Sequence, residues 1–314
     1  MKAPIHPTSS LVARWERFWF AQIPSDIFAL LRIVFGAVGL IGVLAFVPVS
    51  IFWPLDGLVP VSGTGNALRH AALSVGIGTI GGWTLFLFLV ASFTCMTVGF
   101  LSGWAVACCF GATVLQSFWN PWPMSGAHDV LTVMLFCLLW ADCSGRPSVD
   151  AWRARTSKQP PRLQSITPIR LMQIQVALIY MNSALWKLGG PTWRDGSTIH
   201  YVLNLNTYQR FPGVVPVFFE PFMTVSTYLT VFWEATFGLM LLNRWTRRAA
   251  LLFGIALHIG LWVTMELGTF SWVILASYIA FMDPQLVSRW MQRLASPASP
   301  MRTADGKPHL RQAI

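Results

Sequence analysis

Seven ionisable side chains interrupt otherwise apolar stretches of this chain: Arg32, His128, Asp129, Lys187, Glu234, His258 and Glu266. A charged group at bilayer depth costs roughly 2.5–3.5 kcal/mol on insertion scales, so such residues normally face a protein interior or a hydrated cavity. Lys187 is the most informative of them. It closes the apolar part of Ile179–Leu203, IYMNSALWKLGGPTWRDGSTIHYVL, just before Gly189-Gly190-Pro191 turns the chain into an aromatic, polar segment. A lysine there is either an anchor that reaches for headgroups or a functional group. As a base it needs its unperturbed pKa near 10.4 lowered by desolvation or by neighbouring cations, and Leu185, Trp186 and Leu188 supply an apolar setting. Glu234 and His258 are expected to orient it or relay protons, or else to form a buried hydrogen-bonded pair that fixes helix packing.

The elements that carry these groups follow from composition. Hydrophobic residues make up 54% of the 314 and charged residues only 11%, and the mean hydropathy is +0.56, too apolar to keep most of the chain in water. A span takes roughly 20 apolar residues, and apolar runs recur at Asp26–Pro48, Gly82–Gly99, Leu101–Trp119, His128–Ala141, Ile166–Lys187, Phe222–Leu242, Ala249–Met265 and Gly268–Met282. The expected fold is therefore an all-α, polytopic membrane bundle of about eight transmembrane helices. A further embedded or interfacial helix is open at Ser50–Gly81. Glu234 then lies roughly 18 Å inside the outer end of its helix, at about 1.5 Å per residue.

The net charge of +10 is read as topology. Lys2, Arg14 and Arg17 precede the first helix; Arg146, Arg153, Arg155, Lys158 and Arg162 follow the fourth; Arg244, Arg247 and Arg248 follow the sixth; Arg289, Arg293, Arg302, Lys307 and Arg311 end the chain. These groups hold most of the 22 basic residues and fall on one side if both termini are cytoplasmic. They suit orientation and contact with membrane lipids better than any nucleic-acid role. Arg32, near the cytoplasmic end of its helix, is expected to snorkel. His128 and Asp129 open the fourth helix, where they serve either as capping groups or as cavity lining.

Three segments are expected: residues 1–25 as a cytoplasmic, interfacial amphipathic stretch, 26–283 as the transmembrane domain, and 284–314 as a cytoplasmic tail, flexible from Ser296. Within the domain, halves 26–141 and 166–283 are joined by the basic loop 142–165. Leu11–Gln22 mixes Arg, Glu and Trp with apolar residues, unlike a cleavable signal peptide. The five cysteines form no CxxC motif, disulfide framework or zinc spacing. Trp119, Trp122, Trp186 and Trp193 read as an interfacial belt, with those beside Lys187 also able to wall an apolar pocket.

The Ile179–Leu203 segment, Phe232–Leu242 with its Trp233-Glu234, and LHIGLWVTMELGTFSWVILASYIAF from Leu257 resemble the HTTM family. This is the horizontally transferred transmembrane domain shared with vitamin K-dependent gamma-carboxylase. Leu31-Arg32-Ile33-Val34 and the His128 region agree more loosely, so the resemblance covers roughly residues 26–283. It implies that Lys187 falls on the lysine that deprotonates a reduced quinone, vitamin K hydroquinone, with oxygen and carbon dioxide as further reactants. The pattern departs at Trp186, where the carboxylase has a second lysine, and at Gly145, loosely where it has a histidine. The chain ends soon after the membrane domain, which points away from a propeptide-bearing protein substrate. Short bacterial relatives include partners in the maturation of an exported peptide toxin.

The resulting expectation is an inner-membrane protein with a quinone-sized or lipid-sized pocket open to the periplasm. Lys187, His258, Glu234 and His128 are its catalytic candidates. Trp186, Trp193, Asp129, Arg194, Asp195 and Tyr201 are its substrate-binding candidates. The alternatives are a non-enzymatic helper that holds an exported peptide or a partner protein encoded nearby through Arg194, Asp195, Tyr208 and Arg210, and, third, a proton-coupled transporter relaying through Glu234 and His258. No inverted repeat with matching broken helices supports the last.

Overall fold

The computed structural model describes residues 11–45, 67–76, 78–119, 125–155, 159–211, 213 and 217–295. Lys2, Trp122, Lys158, the tail from Ser296 and most of Ser50–Gly81 lie outside them.

Each of the eight apolar runs forms a helix among its described residues. They form α2 (Asp26–Leu44), α4 (Gly78–Val98), α5 (Ser102–Trp119), α6 (Gly126–Leu138), α8 (Thr167–Gly189), α11 (Glu220–Met240), α12 (Arg244–Thr264) and α13 (Phe270–Ser277), the last continued by a 3-10 turn at Tyr278–Phe281. Shorter helices are α1 (Leu11–Phe20), α3 (Ala67–Ser74), α7 (Val149–Arg153), α9 (Pro191–Arg194), α10 (Thr198–Asn204) and α14 (Pro284–Ala295). Asp26–Leu44, Ile80–Val98 and Arg244–Thr264 are long and apolar enough to cross a membrane. Phe270–Phe281 with Pro284–Arg293, bent by 104°, makes a fourth if counted together. The described chain thus has three or four candidate spans by this measure, fewer than the runs read from sequence. Large apolar side chains stand exposed on many helix faces, among them Leu87, Trp104, Phe222, Leu239 and Leu252, as lipid-facing surfaces require.

Local chemistry sets the helix ends. Proline occupies the first turn of α8 and of α11, where its missing N–H costs nothing. The Asn243 side chain caps α12 by accepting from the Trp245 N–H at 2.9 Å. Gly99, at φ +72°, ends α4 with its N–H on the Cys95 carbonyl, a left-handed position that favours glycine.

Two strands, β1 (Gln22–Pro24) and β2 (Leu163–Ser165), pair antiparallel with Ile23 opposite Gln164. This pairing ties the beginnings of α2 and α8 to one end of the bundle, and Lys187 lies a helix length away at the other. Packing runs α2 on α4, α4 on α5, α5 on α6, α6 on α13 and α8 on α11. Phe28, Phe35, Phe93, Met96, Met134, Met172 and Phe237 are buried within one continuous core.

Arg32 departs from expectation. It is 0% exposed instead of snorkelling, and its guanidinium donates to the carbonyls of Met96, Thr97 (2.9 Å) and Pro147 (2.6 Å). Those acceptors come from the end of α4 and from the loop before α7, and a charged donor satisfies helix-terminal carbonyls well. Beside it, Asp150 accepts from the N–H groups of Leu101 and Ser102, at 2.9 and 2.8 Å, and from the Ser102 hydroxyl. Burial pushes the Asp150 carboxyl up, but the Ser102 and Leu101 bonds outweigh it and hold the group below the usual carboxylate range. Cys143, after α6, is buried, which pushes its thiol up to about 12, so it is no nucleophile at neutral pH.

Candidate functional site

At the far end of α8, Lys187 turns inward and its ammonium donates to the Glu234 carboxylate on α11. The two side chains are 19% and 8% exposed, so the pair is partly shielded from water. The ammonium also lies over the Trp193 ring, 4.8 Å from its centroid, a cation–π contact. Gly190-Pro191 makes this possible: α8 stops at Gly189, and α9 folds back to bring Trp193 over the lysine. The second carboxylate oxygen of Glu234 is buried without a hydrogen-bond partner among the described residues.

Glu234 and His258 do not form the hydrogen-bonded pair expected as one reading. His258 Nε2 instead lies 2.9 Å from the Tyr180 hydroxyl, which is 2.6 Å from the Tyr278 hydroxyl. All three residues are buried. His258 is within electrostatic reach of Lys187, and both tyrosines are within reach of Glu234. Below this polar floor, Tyr180 packs on Trp233 and Phe237 with ring centroids 4.5 and 4.7 Å away, and Phe237 meets Phe281 at 6.2 Å. Trp233 in turn donates to the Ala250 carbonyl at 3.0 Å, which fixes α11 to α12.

An apolar groove of about 400 Å³ adjoins the ion pair, lined by Leu188, Trp193, Arg194, Tyr228, Val231, Phe232 and Ala235. Trp193 belongs to both features, so the ring that covers the lysine is also a wall of the groove.

The remaining candidates are placed separately. His128 bonds through Nε2 to the Ser117 hydroxyl at 2.9 Å, on α6 and α5, and Asp129 beside it is exposed, so neither lines the groove. Trp186, 79% exposed, faces outward and does not wall the groove. Asp195 accepts from the Ser197 hydroxyl and N–H, bonds that hold its carboxyl below the usual range and spend it on a turn. Tyr201 and Arg194 are exposed, and the Arg194 carbonyl accepts from Tyr228. Arg210 pairs with Glu266 at 3.1 Å and lies over Trp262, so this arginine is engaged within the chain.

Tyr180 and Tyr278 were not singled out from sequence. The available signal was weak: each is an aromatic with a polar tip inside an apolar run, a residue that finds a partner when buried.

A family model described as the HTTM domain matches residues 80–286. The chain belongs to the HTTM family. Every residue of the ion pair, the groove and the polar floor falls within the HTTM match. Sporulation-delaying protein SdpB of Bacillus subtilis (strain 168) is 29% identical over 174 residues, which are 51% of this chain and 52% of that protein. The chain thus spans about half the length of the curated relative it matches. No solved structure matches. As an HTTM protein with apolar, lipid-compatible helices, it is a helical membrane protein.

Proposed function

We propose that this HTTM protein modifies a small or exported peptide substrate at the outer edge of the inner membrane, in a base-catalysed, quinone-linked reaction akin to that of vitamin K-dependent gamma-carboxylase. In this reading the chain crosses the membrane about eight times, both termini are cytoplasmic, and the Lys187 end faces the periplasm. The observation that carries the proposal is the Lys187–Glu234 pair under Trp193, beside an apolar groove.

The chemistry follows from that geometry. An amine accepts a proton only when neutral, and Glu234 is the group in contact that can take the proton from Nζ. An apolar ligand in the groove would exclude water from this contact and leave the carboxylate as the acceptor at hand. Trp193, Tyr228 and Phe232 offer flat walls for a ring, and the pair offers a polar end, a fit for a reduced quinone. Such a group, when bound, supplies an acidic hydroxyl and reducing power toward oxygen, with carbon dioxide as the co-reactant in a carboxylation. His258 and Tyr180, bonded to each other, lie within electrostatic reach of the pair and supply a polar backing to it.

The test is retention of quinone by protein purified from native membranes, paired with function in cells. Wild type should carry extractable quinone, and Lys187→Ala and Glu234→Gln should lose it while remaining folded. Full cellular function in folded Lys187→Ala would refute the base role. A second reading rests on the exposure of Arg194 and Tyr208: a non-enzymatic helper that holds an exported peptide or partner protein. In that case Arg194→Ala should damage partner capture more than Lys187→Ala does. A proton-coupled transporter is less favoured, because the Phe237–Phe281 layer lies below the polar floor.

A further inference from the structure

At the opposite end of the bundle, α14 does not trail away as a tail. It turns 104° from the Phe270–Phe281 segment and lies against α2 and β1. Its inner face buries Val287, Ser288 and Met291, and the Ser288 hydroxyl donates to the buried Asp26 carboxylate at 2.7 Å. The outer face is different in kind. Leu286, Arg289, Trp290 and Arg293 are all exposed, and their spacing of three and four residues puts them on one stripe. With Met282 they border a groove of about 340 Å³.

We propose that this stripe is a binding site for anionic phospholipid, with Arg289 and Arg293 on the phosphate and Leu286 and Trp290 in the acyl boundary. Three observations carry it. The 104° bend at the end of the bundle gives α14 an orientation that suits a helix in the plane of the interface. Its inner face packs on α2 and β1, and the outer stripe is uncovered among the described residues. The stripe also pairs an apolar residue and a tryptophan with two guanidiniums, the composition of a surface-lying membrane helix. At the same end, α1 exposes Leu11, Val12, Trp15 and Phe18 beside Arg14 and Arg17, and it is held to α8 by Arg170, which donates to the Phe18 carbonyl. The charge complement sets the lipid class: two cations on one face favour a net-negative headgroup over a zwitterionic one. This site is independent of the groove at Lys187.

The full chain would be placed in nanodiscs of phosphatidylcholine alone or mixed with phosphatidylglycerol, and amide exchange followed across residues 284–295. Phosphatidylglycerol should slow exchange there, and high salt should weaken the effect. In detergent, Arg289→Gln with Arg293→Gln should lower retention of phosphatidylglycerol at this site by up to about 25-fold, roughly fivefold per arginine. Arg14→Gln with Arg17→Gln serves as the control and should leave exchange at 284–295 unchanged. Equal protection in both lipids, or protection that survives loss of both arginines, overturns the proposal. Competition by inorganic phosphate at equal concentration would also overturn it, since that marks an anion site and not a lipid site.

Discussion

Lys187 and Glu234 stand 47 positions apart in the chain and meet as a hydrogen-bonded ion pair in which the carboxylate is the more buried partner. Removing one member of such a pair leaves the other charge uncompensated, whereas removing both leaves an apolar contact. Lys187→Met or Glu234→Leu alone should therefore destabilise the protein by about 3–5 kcal/mol, and the double substitution should recover most of the loss. Thermal unfolding of the purified variants in detergent checks this. Additive losses in the double variant would mean that the two groups are not coupled.

Two tryptophans near the lysine should behave differently. Trp193 covers the ammonium and walls the groove, while Trp186 points away. Trp193→Ala should weaken binding of a ring-bearing ligand several-fold, in line with about 0.5–1.5 kcal/mol for an aromatic pair. Trp186→Ala should leave it unchanged. Titration of a naphthoquinone against each variant separates them, and equal losses would disprove the assignment of the wall.

Tyr180→Phe removes the hydroxyl that joins His258 to Tyr278. It should cost about 1–3 kcal/mol, because two buried polar groups lose their partner at once. Tyr278→Phe removes only one end of the chain and should cost less. A reversed order in melting temperature would mean that the Tyr180 hydroxyl is not the hub.

Arg32 answers three main-chain carbonyls. Arg32→Leu should destabilise strongly, by about 3 kcal/mol or more, since those acceptors lose a charged donor. Arg32→Lys should rescue only part of this, because an ammonium lacks the planar fork. Full rescue by lysine would show that charge alone matters there. Gly99→Ala should act on the same joint, as a Cβ would lie 2.7 Å from Arg32 Nη1.

Asp150 gives a pH dependence. Its folded-state pKa lies below the unfolded value, so its stabilising effect is present above about pH 4 and is lost as pH falls through the folded value. Unfolding measured from pH 6 downward should show an acid limb that is shallower in Asp150→Asn than in wild type. An identical limb would remove Asp150 from the acid response.

Helix positions were legible because an apolar run of sufficient length has few other ways to satisfy its backbone. Lys187, Glu234 and His258 were legible one by one, since each is costly in an apolar run, and Glu234 was expected to serve Lys187, which it meets. His258 was expected to do the same or to pair with Glu234 and instead meets a tyrosine 78 positions away; apolar periodicity carries no signal for such a pairing. Arg32 was misread for the same reason, as its acceptors lie 64, 65 and 115 positions away. Proximity to a helix end suggested escape to the headgroups, while the fold brought carbonyls to it instead.

Tyr180 holds one hydroxyl against α12 and against the turn after α13, and its own helix ends in the lysine that grips α11. Any movement that frees the Lys187 end of α8 must break the two bonds at that oxygen and the lysine's own contact with α11. Opening at this edge will be cooperative, and amides of all four segments should exchange together as one unit.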